Sequence, residues 1–310
     1  MDYLFIIVGL VLLVLGGDWL LKAAVGMSLR LNISKIVIGM TVVSFATSAP
    51  ELIVSVKSAI DGFPDIALGN VVGSNIANIG LILGIVMIIS KMQVDNSFFK
   101  IDWPAMMMSS LLLYGMLLFD GQISRIDGFI LFGLIITFVI YLIKSNNNMD
   151  EVEIPLEETM KMYQVIGFLV IGGAALYGGS EFLIKGAVNV AHAFGVSDRV
   201  IAVTVVAIGT SIPELAASLI AAIKKESSIS IGNVLGSNIF NILSVLGLSA
   251  IIHPIKLVDN RLLSFDIFWM LGFAFILLPL VYLPQKGFLD RKAGVILLAG
   301  YILFVYLTFA

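Results

Sequence analysis

Ten apolar segments dominate this 310-residue chain, and each is close to the roughly 20 residues that a helix needs to cross a bilayer. Strands of a membrane barrel would be about half as long and would alternate in polarity, which these segments do not. The sequence therefore predicts an all-α membrane protein with ten transmembrane helices. The segments lie at residues 3–25, 33–60, 66–90, 101–119, 123–144, 161–186, 197–223, 229–252, 264–283 and 290–309.

Composition supports a membrane protein and excludes several other classes. Hydrophobic residues make up 59% of the chain and charged residues 13%, whereas soluble domains carry about 25% charged residues. The net charge of −3 argues against nucleic-acid binding, and the lack of cysteine excludes disulfides and zinc–thiolate sites. Because no basic residue precedes the first apolar segment, we expect that segment to be a transmembrane helix rather than a cleavable signal peptide.

The distribution of lysine and arginine predicts the orientation in the membrane. Twelve of the 18 lie on one side of the predicted helices and six on the other, and cytoplasmic loops are generally the richer in these residues. Both termini are therefore expected on the extracellular or periplasmic side of the plasma (inner) membrane. Residues 145–160 form the one long polar segment and are expected to be an acidic, solvated cytoplasmic linker, with a cation-binding regulatory loop as the alternative.

Two motifs occur twice, and both recur at the same spacing along the chain. Residues 41–51 (TVVSFATSAPE) match residues 204–214 (TVVAIGTSIPE) at seven of eleven positions. Residues 69–80 (GNVVGSNIANIG) match residues 232–243 (GNVLGSNIFNIL) at nine of twelve positions. Matches at one common spacing indicate an internal duplication of the whole chain.

The two halves of this duplication, residues 1–144 and 161–310, each contain five predicted helices. Because five is odd, the second half enters the membrane from the opposite side, so the halves are expected to be inverted repeats. Pro50 and Pro213 are expected to interrupt helices 2 and 7, since proline removes a backbone hydrogen bond. Inverted repeats with interrupted helices are typical of secondary transporters, whose sites lie near the bilayer midplane. Four glycines of the second motif are expected to interrupt helices 3 and 8: Gly69, Gly73, Gly232 and Gly236.

Glu51 and Glu214 occupy equivalent positions in the middle of predicted helices 2 and 7. A carboxylate at the bilayer centre costs on the order of 3 kcal/mol, and neither glutamate has a lysine or arginine close by in sequence. Oxygen donors suit hard cations, and Ca²⁺ takes six to eight of them. The sequence therefore predicts a cation site. Hydroxyl and amide side chains in the same motifs supply further oxygens: Thr47, Ser48, Ser74, Asn75, Asn78, Thr210, Ser211, Ser237, Asn238 and Asn241.

The charge of this predicted site indicates how ions would move. Two carboxylates can be neutralised by one Ca²⁺ or by two Na⁺, whereas an empty site leaves two buried anions that resist crossing the membrane. Movement only in the loaded states is the rule of an exchanger. Asn75 and Asn238 are better explained as residues that bind helices together. Two pairs spaced four residues apart are interpreted as structural ion pairs: Asp18–Lys22 and Glu181–Lys185.

The doubled motifs, TSAPE with GNVVGSNIANIG and TSIPE with GNVLGSNIFNIL, resemble the α-repeats of the cation/Ca²⁺ exchanger superfamily, specifically its Na⁺/Ca²⁺ exchanger branch of prokaryotic type. The resemblance covers all ten predicted helices. It implies one Ca²⁺ site formed by Glu51, Glu214 and the main-chain carbonyls of Thr47 and Thr210. It also implies Na⁺ sites that share both glutamates and use further residues: Ser44, Ser48, Ser74, Asn78, Ala207, Ser211, Ser237 and Asn241.

The resemblance further implies electrogenic exchange of about three Na⁺ for one Ca²⁺, with helices 1 and 6 sliding across the other eight. In the K⁺-dependent branch an aspartate stands at one of the positions occupied here by Asn78 and Asn241, so K⁺-independent transport is expected. An H⁺/Ca²⁺ antiporter on the same scaffold is the alternative, although the glutamate of that branch typically follows Asn-Ala. An ion channel and an intramembrane enzyme fit the motifs less well. Na⁺, Ca²⁺ and the lipid bilayer are the expected partners, with no cofactor and no obligate protein partner.

Overall fold

A computed structural model of the chain describes residues 2–145, 160–193, 209–257, 260–282 and 287–309. Within these ranges, eight helices are long and apolar enough to cross a bilayer. A ninth crossing results if two helices that meet at an angle of 49° at Ser48 count as one span. The chain is therefore a mostly helical, multi-pass membrane protein. The remaining predicted crossing, the seventh in chain order (residues 197–223), lies partly outside the described residues and stays a prediction.

Eleven helices are described and are numbered here in chain order. They are α1 (Asp2–Leu31), α2 (Lys35–Thr47), α3 (Ala49–Ile60), α4 (Ile66–Ile89), α5 (Phe98–Asp120), α6 (Arg125–Ser145), α7 (Met162–Ala193), α8 (Ile212–Ile223), α9 (Ser227–Ile252), α10 (Leu262–Tyr282) and α11 (Arg291–Phe309). Four two-residue strands lie between helices: β1 (Met92–Gln93), β2 (Gln122–Ile123), β3 (Ile255–Lys256) and β4 (Phe288–Leu289).

The bend between α2 and α3 has a clear local cause. Pro50 occupies the first turn of α3 and has no N–H group, so the carbonyl of Ala46 loses its helical donor. Ser48, at the junction, leaves the helical region with ψ near 7°. Pro213 has the same place in α8, where Ser211 has ψ near 5°. The interruption that Pro50 predicts in the second span is confirmed.

The predicted interruption of helices 3 and 8 by glycine is wrong. α4 and α9 run unbroken for 24 and 26 residues. A glycine costs a helix only about 1 kcal/mol relative to alanine, which burial of the helix can offset. Both helices instead change to π-helical hydrogen bonding over equivalent segments, Asn78–Leu83 and Asn241–Leu246. The two segments begin at matching positions of the second motif, so the local structure follows the duplicated sequence.

The glycines of α4 and α9 have different surroundings although their sequences correspond. A methyl group added at Gly236 would lie 2.6 Å from the Cα of Met40, and one at Gly232 would lie 2.6 Å from the carbonyl oxygen of Ile36. The equivalent glycines of α4, Gly69 and Gly73, have no atom of the described residues within 4 Å of an added methyl. α9 therefore packs closely on α2, while the corresponding face of α4 has no such contact with the part of the chain that the structure describes.

Glycine also brings α1 and α7 close together along most of their length. Methyl groups added at Gly16 or Gly179 would lie within 3 Å of backbone atoms of the other helix. Gly9, Gly172 and Gly186 make the same kind of close approach. Small residues let the backbones of membrane helices pack against each other in this way. α1 and α7 consequently form one closely packed helix pair.

The four short strands join loops of the two halves. β1 pairs with β4 in antiparallel register, Met92 opposite Leu289, and β2 pairs with β3, Ile123 opposite Ile255. All four residues are buried. Each pairing thus fastens a loop of the first half to a loop of the second.

The packing of α9 on α2 makes a prediction about stability. Gly236→Ala is expected to lower the free energy of unfolding by about 1–3 kcal/mol, because the new methyl group overlaps Met40. Gly73→Ala, the equivalent change in α4, meets no atom of the described residues within 4 Å and is expected to cause no loss. Thermal unfolding of the two variants in detergent measures the difference. Equal losses would contradict the unequal packing of the two helices.

Candidate cation site

Two buried carboxylates lie where the interrupted helices begin again. Glu51 is in the first turn of α3 and Glu214 is in the first turn of α8, and both side chains are fully buried. The N-terminal turn of a helix favours negative charge because its free N–H groups point outward. The breaks caused by Pro50 and Pro213 thus create, inside the bundle, helix starts that suit a carboxylate.

Hydrogen bonds across the two halves bring these carboxylates together. Ser48 donates from Oγ to Oε1 of Glu214 at 3.0 Å, and Ser211 donates from Oγ to Oε1 of Glu51 at 3.3 Å. Each serine lies three residues before the glutamate of its own half, so each half contributes one donor and one acceptor. The two acids therefore meet at one place, as the duplicated motifs predict.

No ion pair among the described residues joins a basic side chain to either glutamate. Lys22 and Lys224 pair with Asp18 of α1, and Lys35 pairs with Glu226 between α8 and α9. The partners of the two glutamates are hydroxyl groups. A pair of buried carboxylates without a basic partner requires neutralisation from elsewhere.

Asparagines from α4 and α9 form a reciprocal network next to the carboxylates. Asn75 donates to the carbonyl oxygen of Asn238 at 3.2 Å, and Asn238 donates back to that of Asn75 at 3.4 Å. Asn78 donates to Oδ1 of Asn238 at 3.0 Å, and Asn241 donates to Oδ1 of Asn75 at 3.1 Å. The interpretation of Asn75 and Asn238 as residues that bind helices together agrees with these bonds.

The network leaves a set of buried oxygens without hydrogen-bond partners. They come in three equivalent pairs, one atom from each half: Oε2 of Glu51 and Glu214, Oγ of Ser74 and Ser237, and Oδ1 of Asn78 and Asn241. A buried polar atom without a partner is unfavourable by about 1–3 kcal/mol, so six of them on residues of two joined motifs call for a shared ligand. Carboxylate, amide and hydroxyl oxygens are the donors that hard cations such as Ca²⁺ prefer.

The remaining predicted site residues differ between the two halves of the chain. Thr47 and Ser44 are buried, and their hydroxyl groups are already engaged: Thr47 donates to Oδ1 of Asn233 at 3.1 Å, and Ser44 donates to the carbonyl oxygen of Asn233 at 3.0 Å. Their hydroxyl hydrogens are thus committed to α9, and their main-chain oxygens are further candidate ligands for an ion. Thr210 is partly exposed and lines a cavity. Ala207 lies outside the described residues.

Sequence reasoning missed one pair of equivalent asparagines and the serines that orient them. Asn70 donates to Oγ of Ser55 at 3.1 Å, and Asn233 donates to Oγ of Ser218 at 2.9 Å. The serines follow Glu51 and Glu214 by four residues, one helical turn. The recurrence of Gly-Asn at the start of the second motif, with serine four residues after each glutamate, is the signal that could have identified them.

A cavity of about 610 Å³ reaches the site from one side of the bundle. Asn70, Ser74 and Thr210 line it close to the carboxylates, and Ile66 and Ile184 line it farther out. That side is called the open end below. On the other side, called the closed end, the equivalent residue of Asn70, Asn233, is fully buried, and α9 packs on α2. Within the described ranges, a cavity thus reaches the site from the open end, and helix packing covers it at the closed end.

One of the two predicted ion pairs on α1 and α7 is present and the other is not. Nζ of Lys22 lies 2.9 Å from Oδ2 of Asp18. In α7, Lys185 instead lies over the ring of Phe5, 5.0 Å from its centre, and no ion pair joins it to Glu181 among the described residues. Glu181 lines the cavity, where water can solvate its carboxylate, so the predicted Glu181–Lys185 pair is wrong.

Known proteins are similar to this chain over nearly its whole length. The profile of the family described as "Sodium/calcium exchanger protein" matches residues 1–144 and 164–310. "Putative antiporter CaxA" of Alkalimonas amylolytica is 36% identical, covering 99% of this chain and 98% of the relative, and "Inner membrane protein YrbG" of Escherichia coli (strain K12) is 34% identical, covering 98% and 95%. A solved structure of the sodium-calcium exchanger NCX_Mj, soaked with zero Na⁺ and Ca²⁺, is 30% identical with a TM-score of 0.83, covering 99% of this chain and 98% of that one.

The unpartnered oxygens predict how the protein responds to Ca²⁺. Bound Ca²⁺ is expected to raise the unfolding temperature, since a ligand of the folded state stabilises it. Glu51→Gln and Glu214→Gln each reduce the site charge from −2 to −1 and are expected to weaken binding by about tenfold or more. Ser249→Ala is the matched control, because its Oγ is also buried without a partner but lies eight residues beyond Asn241 in α9. Equal effects of all three substitutions would contradict a site at the two glutamates.

Proposed function

Because the chain belongs to the sodium/calcium exchanger family, whose members are membrane transporters and not enzymes, we propose that it is a secondary antiporter that exchanges Na⁺ for Ca²⁺. The observation that carries this proposal is the group of six unpartnered oxygens on and around two buried carboxylates. Each carboxylate accepts a hydrogen bond from a serine of the other half and has no basic partner among the described residues. Such a group can be satisfied by a cation that enters from water and leaves again.

Ca²⁺ is proposed to bind between Glu51 and Glu214, with the main-chain carbonyls of Thr47 and Thr210 as further ligands. The two carboxylates match the charge of one Ca²⁺, and both have an unpartnered oxygen for it. The position of each acid at a helix start also leaves carbonyl oxygens of the preceding turn without helical donors. The chain thus supplies both charge and neutral oxygens at one point.

Na⁺ is proposed to bind around the same carboxylates, in sites that overlap the Ca²⁺ site. The overlap makes the two ions compete, so that either Na⁺ or Ca²⁺ fills the site but not both. Three Na⁺ for each Ca²⁺ would leave one net charge moved per cycle, which makes the exchange electrogenic. The proposed Na⁺ ligands besides the glutamates are Ser44, Ser48, Ser74, Asn78, Ala207, Ser211, Ser237 and Asn241.

Access to the site is proposed to alternate between the two ends of the bundle. The described structure corresponds to the state in which the open end admits ions and the closed end excludes them. In the proposed arrangement of two inverted five-helix repeats, residues 1–144 and 161–310, movement of the α1–α7 pair across the other helices would close one end and open the other. The open end is proposed to be extracellular or periplasmic, with both termini on that side and the linker at residues 145–160 in the cytoplasm of a cell whose plasma (inner) membrane holds the protein.

Na⁺ is favoured over H⁺ as the coupling ion by the neutral oxygens of the site. A proton needs only a carboxylate, whereas the unpartnered Oγ atoms of Ser74 and Ser237 and the Oδ1 atoms of Asn78 and Asn241 provide nothing that proton transfer requires. These atoms are suitable ligands for Na⁺. The same two asparagines carry no charge, which supports transport without K⁺. An H⁺/Ca²⁺ antiporter is the second candidate, because two buried carboxylates can also be neutralised by protons.

Ion flux in proteoliposomes tests the proposal directly. Vesicles loaded with Na⁺ and diluted into Na⁺-free buffer are expected to take up radiolabelled Ca²⁺, and a K⁺ gradient of the same size is expected to drive none. An inside-positive membrane potential is expected to speed uptake, because three Na⁺ leaving for one Ca²⁺ entering carries positive charge outward. Glu51→Gln and Glu214→Gln are expected to reduce uptake to the level of empty vesicles.

The alternatives give different results in the same experiment. Uptake that follows a pH gradient and ignores Na⁺ would favour the H⁺/Ca²⁺ antiporter. Passage of Ca²⁺ without any counter-ion would indicate a channel. Ser249→Ala again serves as the control, since a change at this buried serine outside the site is expected to leave Na⁺-driven uptake intact.

A further inference from the structure

Two sets of charged residues tie helices together at the closed end. Asp18 of α1 forms an ion pair with Lys224, which directly follows α8. Lys35, the first residue of α2, lies 2.8 and 2.9 Å from the two carboxylate oxygens of Glu226, in the turn between α8 and α9. The first tie joins α1, a member of the α1–α7 pair, to the rest of the bundle, and the second joins α2 to the start of α9.

A third tie lies deeper at the same end. Ser44 of α2 donates from Oγ to the carbonyl oxygen of Asn233 in α9 at 3.0 Å. The bond is completely buried, and it forms where α2 and α9 approach most closely at Gly236. The first tie crosses the boundary between the α1–α7 pair and the rest of the bundle, which would have to shift for ions to enter from this end, and the other two hold α2 against the α9 side of the bundle at the same end.

The internal duplication identifies the residues that occupy the equivalent positions at the open end. In the alignment of the two repeats, Asp18 corresponds to Glu181 and Lys224 to Asp61, so two acids stand where an ion pair stands at the closed end. In the same alignment, Asp198 corresponds to Lys35 and Phe63 to Glu226, and these two residues cannot form an ion pair. Ala207, which has no hydroxyl group, corresponds to Ser44. All three ties therefore depend on residues at which the two repeats differ.

We propose that these residues form a latch that favours the state open at the Glu181 end. The latch rests on the proposed alternating access, and it explains why one end is shut although the ion-binding motifs of both halves are nearly the same. Like charges at Asp61 and Glu181 would oppose closure of the open end. The unloaded transporter therefore rests open at that end, and ions must bind before the latch opens.

A comparison of Lys22 with Lys224 distinguishes the latch from a general effect of surface charge. Both pair with Asp18. Lys22, however, is on α1 itself, and its other neighbour is the ring of Phe168 in α7, 5.8 Å from the ring centre, so its contacts stay within the α1–α7 pair. Lys224 belongs to the rest of the bundle. Loss of Lys224 should therefore shift the equilibrium between the two states, whereas loss of Lys22 should not.

Cysteine labelling of the full chain in lipid nanodiscs tests the latch, since the chain has no cysteine of its own. Ile66→Cys probes the open end, where Ile66 is half exposed, and Ile229→Cys, at the equivalent position of the second repeat, probes the closed end, where Ile229 is buried. In the absence of Na⁺ and Ca²⁺, a polar maleimide is expected to label Cys at position 66 quickly and at position 229 slowly. No ion flux is needed, so the result is independent of the transported ions.

Substitutions that weaken the latch are expected to expose the closed end. Lys224→Gln should raise the labelling rate at position 229 by up to about fivefold, the range expected for loss of one solvent-accessible ion pair. Asp61→Lys, which places a positive charge opposite Glu181, should raise the same rate by stabilising the alternative state. Lys22→Gln should leave it unchanged. Exchange of the charges, Asp18→Lys with Lys224→Asp, should restore slow labelling.

Specific outcomes would overturn the latch. One is an unchanged rate at position 229 in both Lys224→Gln and Asp61→Lys. Another is an equal increase in Lys22→Gln and Lys224→Gln, which would indicate a general effect of surface charge. Unfolding temperatures of the same variants identify any that are merely unstable, and in that case the charge-exchanged double variant decides the question. Failure of Na⁺-driven Ca²⁺ uptake with the labelling pattern intact would count against the proposed ions and not against the latch.

Discussion

Two buried acidic side chains inside a membrane protein, with no basic partner in the part of the chain that the structure describes, are the constraint on which the rest of the site depends. Ser48 and Ser211 donate to Glu214 and Glu51 across the two halves, which holds the acids in place but brings no positive charge. The helix starts at Pro50 and Pro213 favour negative charge, though only by about 1 kcal/mol. Neutralisation of the pair would therefore have to come from a mobile cation, which is how the proposed ion exchange follows from the fold.

The neutral part of the site is as informative as its charges. Asn75 and Asn238 use their amide groups to join α4 to α9, which fixes the positions of the asparagines one turn farther along. Asn78 and Asn241 consequently donate to the scaffold while their oxygens stay available. The π-helical segments begin at these same two residues, where a wider helical turn shifts the register of the side chains. A rigid frame thus presents the oxygens without filling the space between them.

Much of this could be predicted from the sequence because the duplicated motifs carry local chemistry. Proline removes a backbone hydrogen bond from the helix that contains it, so the bend at Ser48 and the position of Glu51 could be predicted, although Pro279 lies inside α10 without breaking it. Glycine has no such fixed consequence, since the effect of Gly73 or Gly236 depends on the neighbouring helix, and the expected breaks did not form. The difference between the two ends could not be predicted from motifs that are nearly identical. It depends on packing between helices that are distant in the chain.

The paired strands have a consequence for how the molecule can deform. β1–β4 and β2–β3 clip together the loops that flank α4, α5, α6, α9, α10 and α11, and neither strand pair is adjacent in sequence to α1 or α7. The strand pairs thus hold these six helices together through their loops. The closely packed α1–α7 pair has no such strand link to them. Relative motion of the α1–α7 pair is therefore not restrained by these strands, and the same holds for α2, α3 and α8.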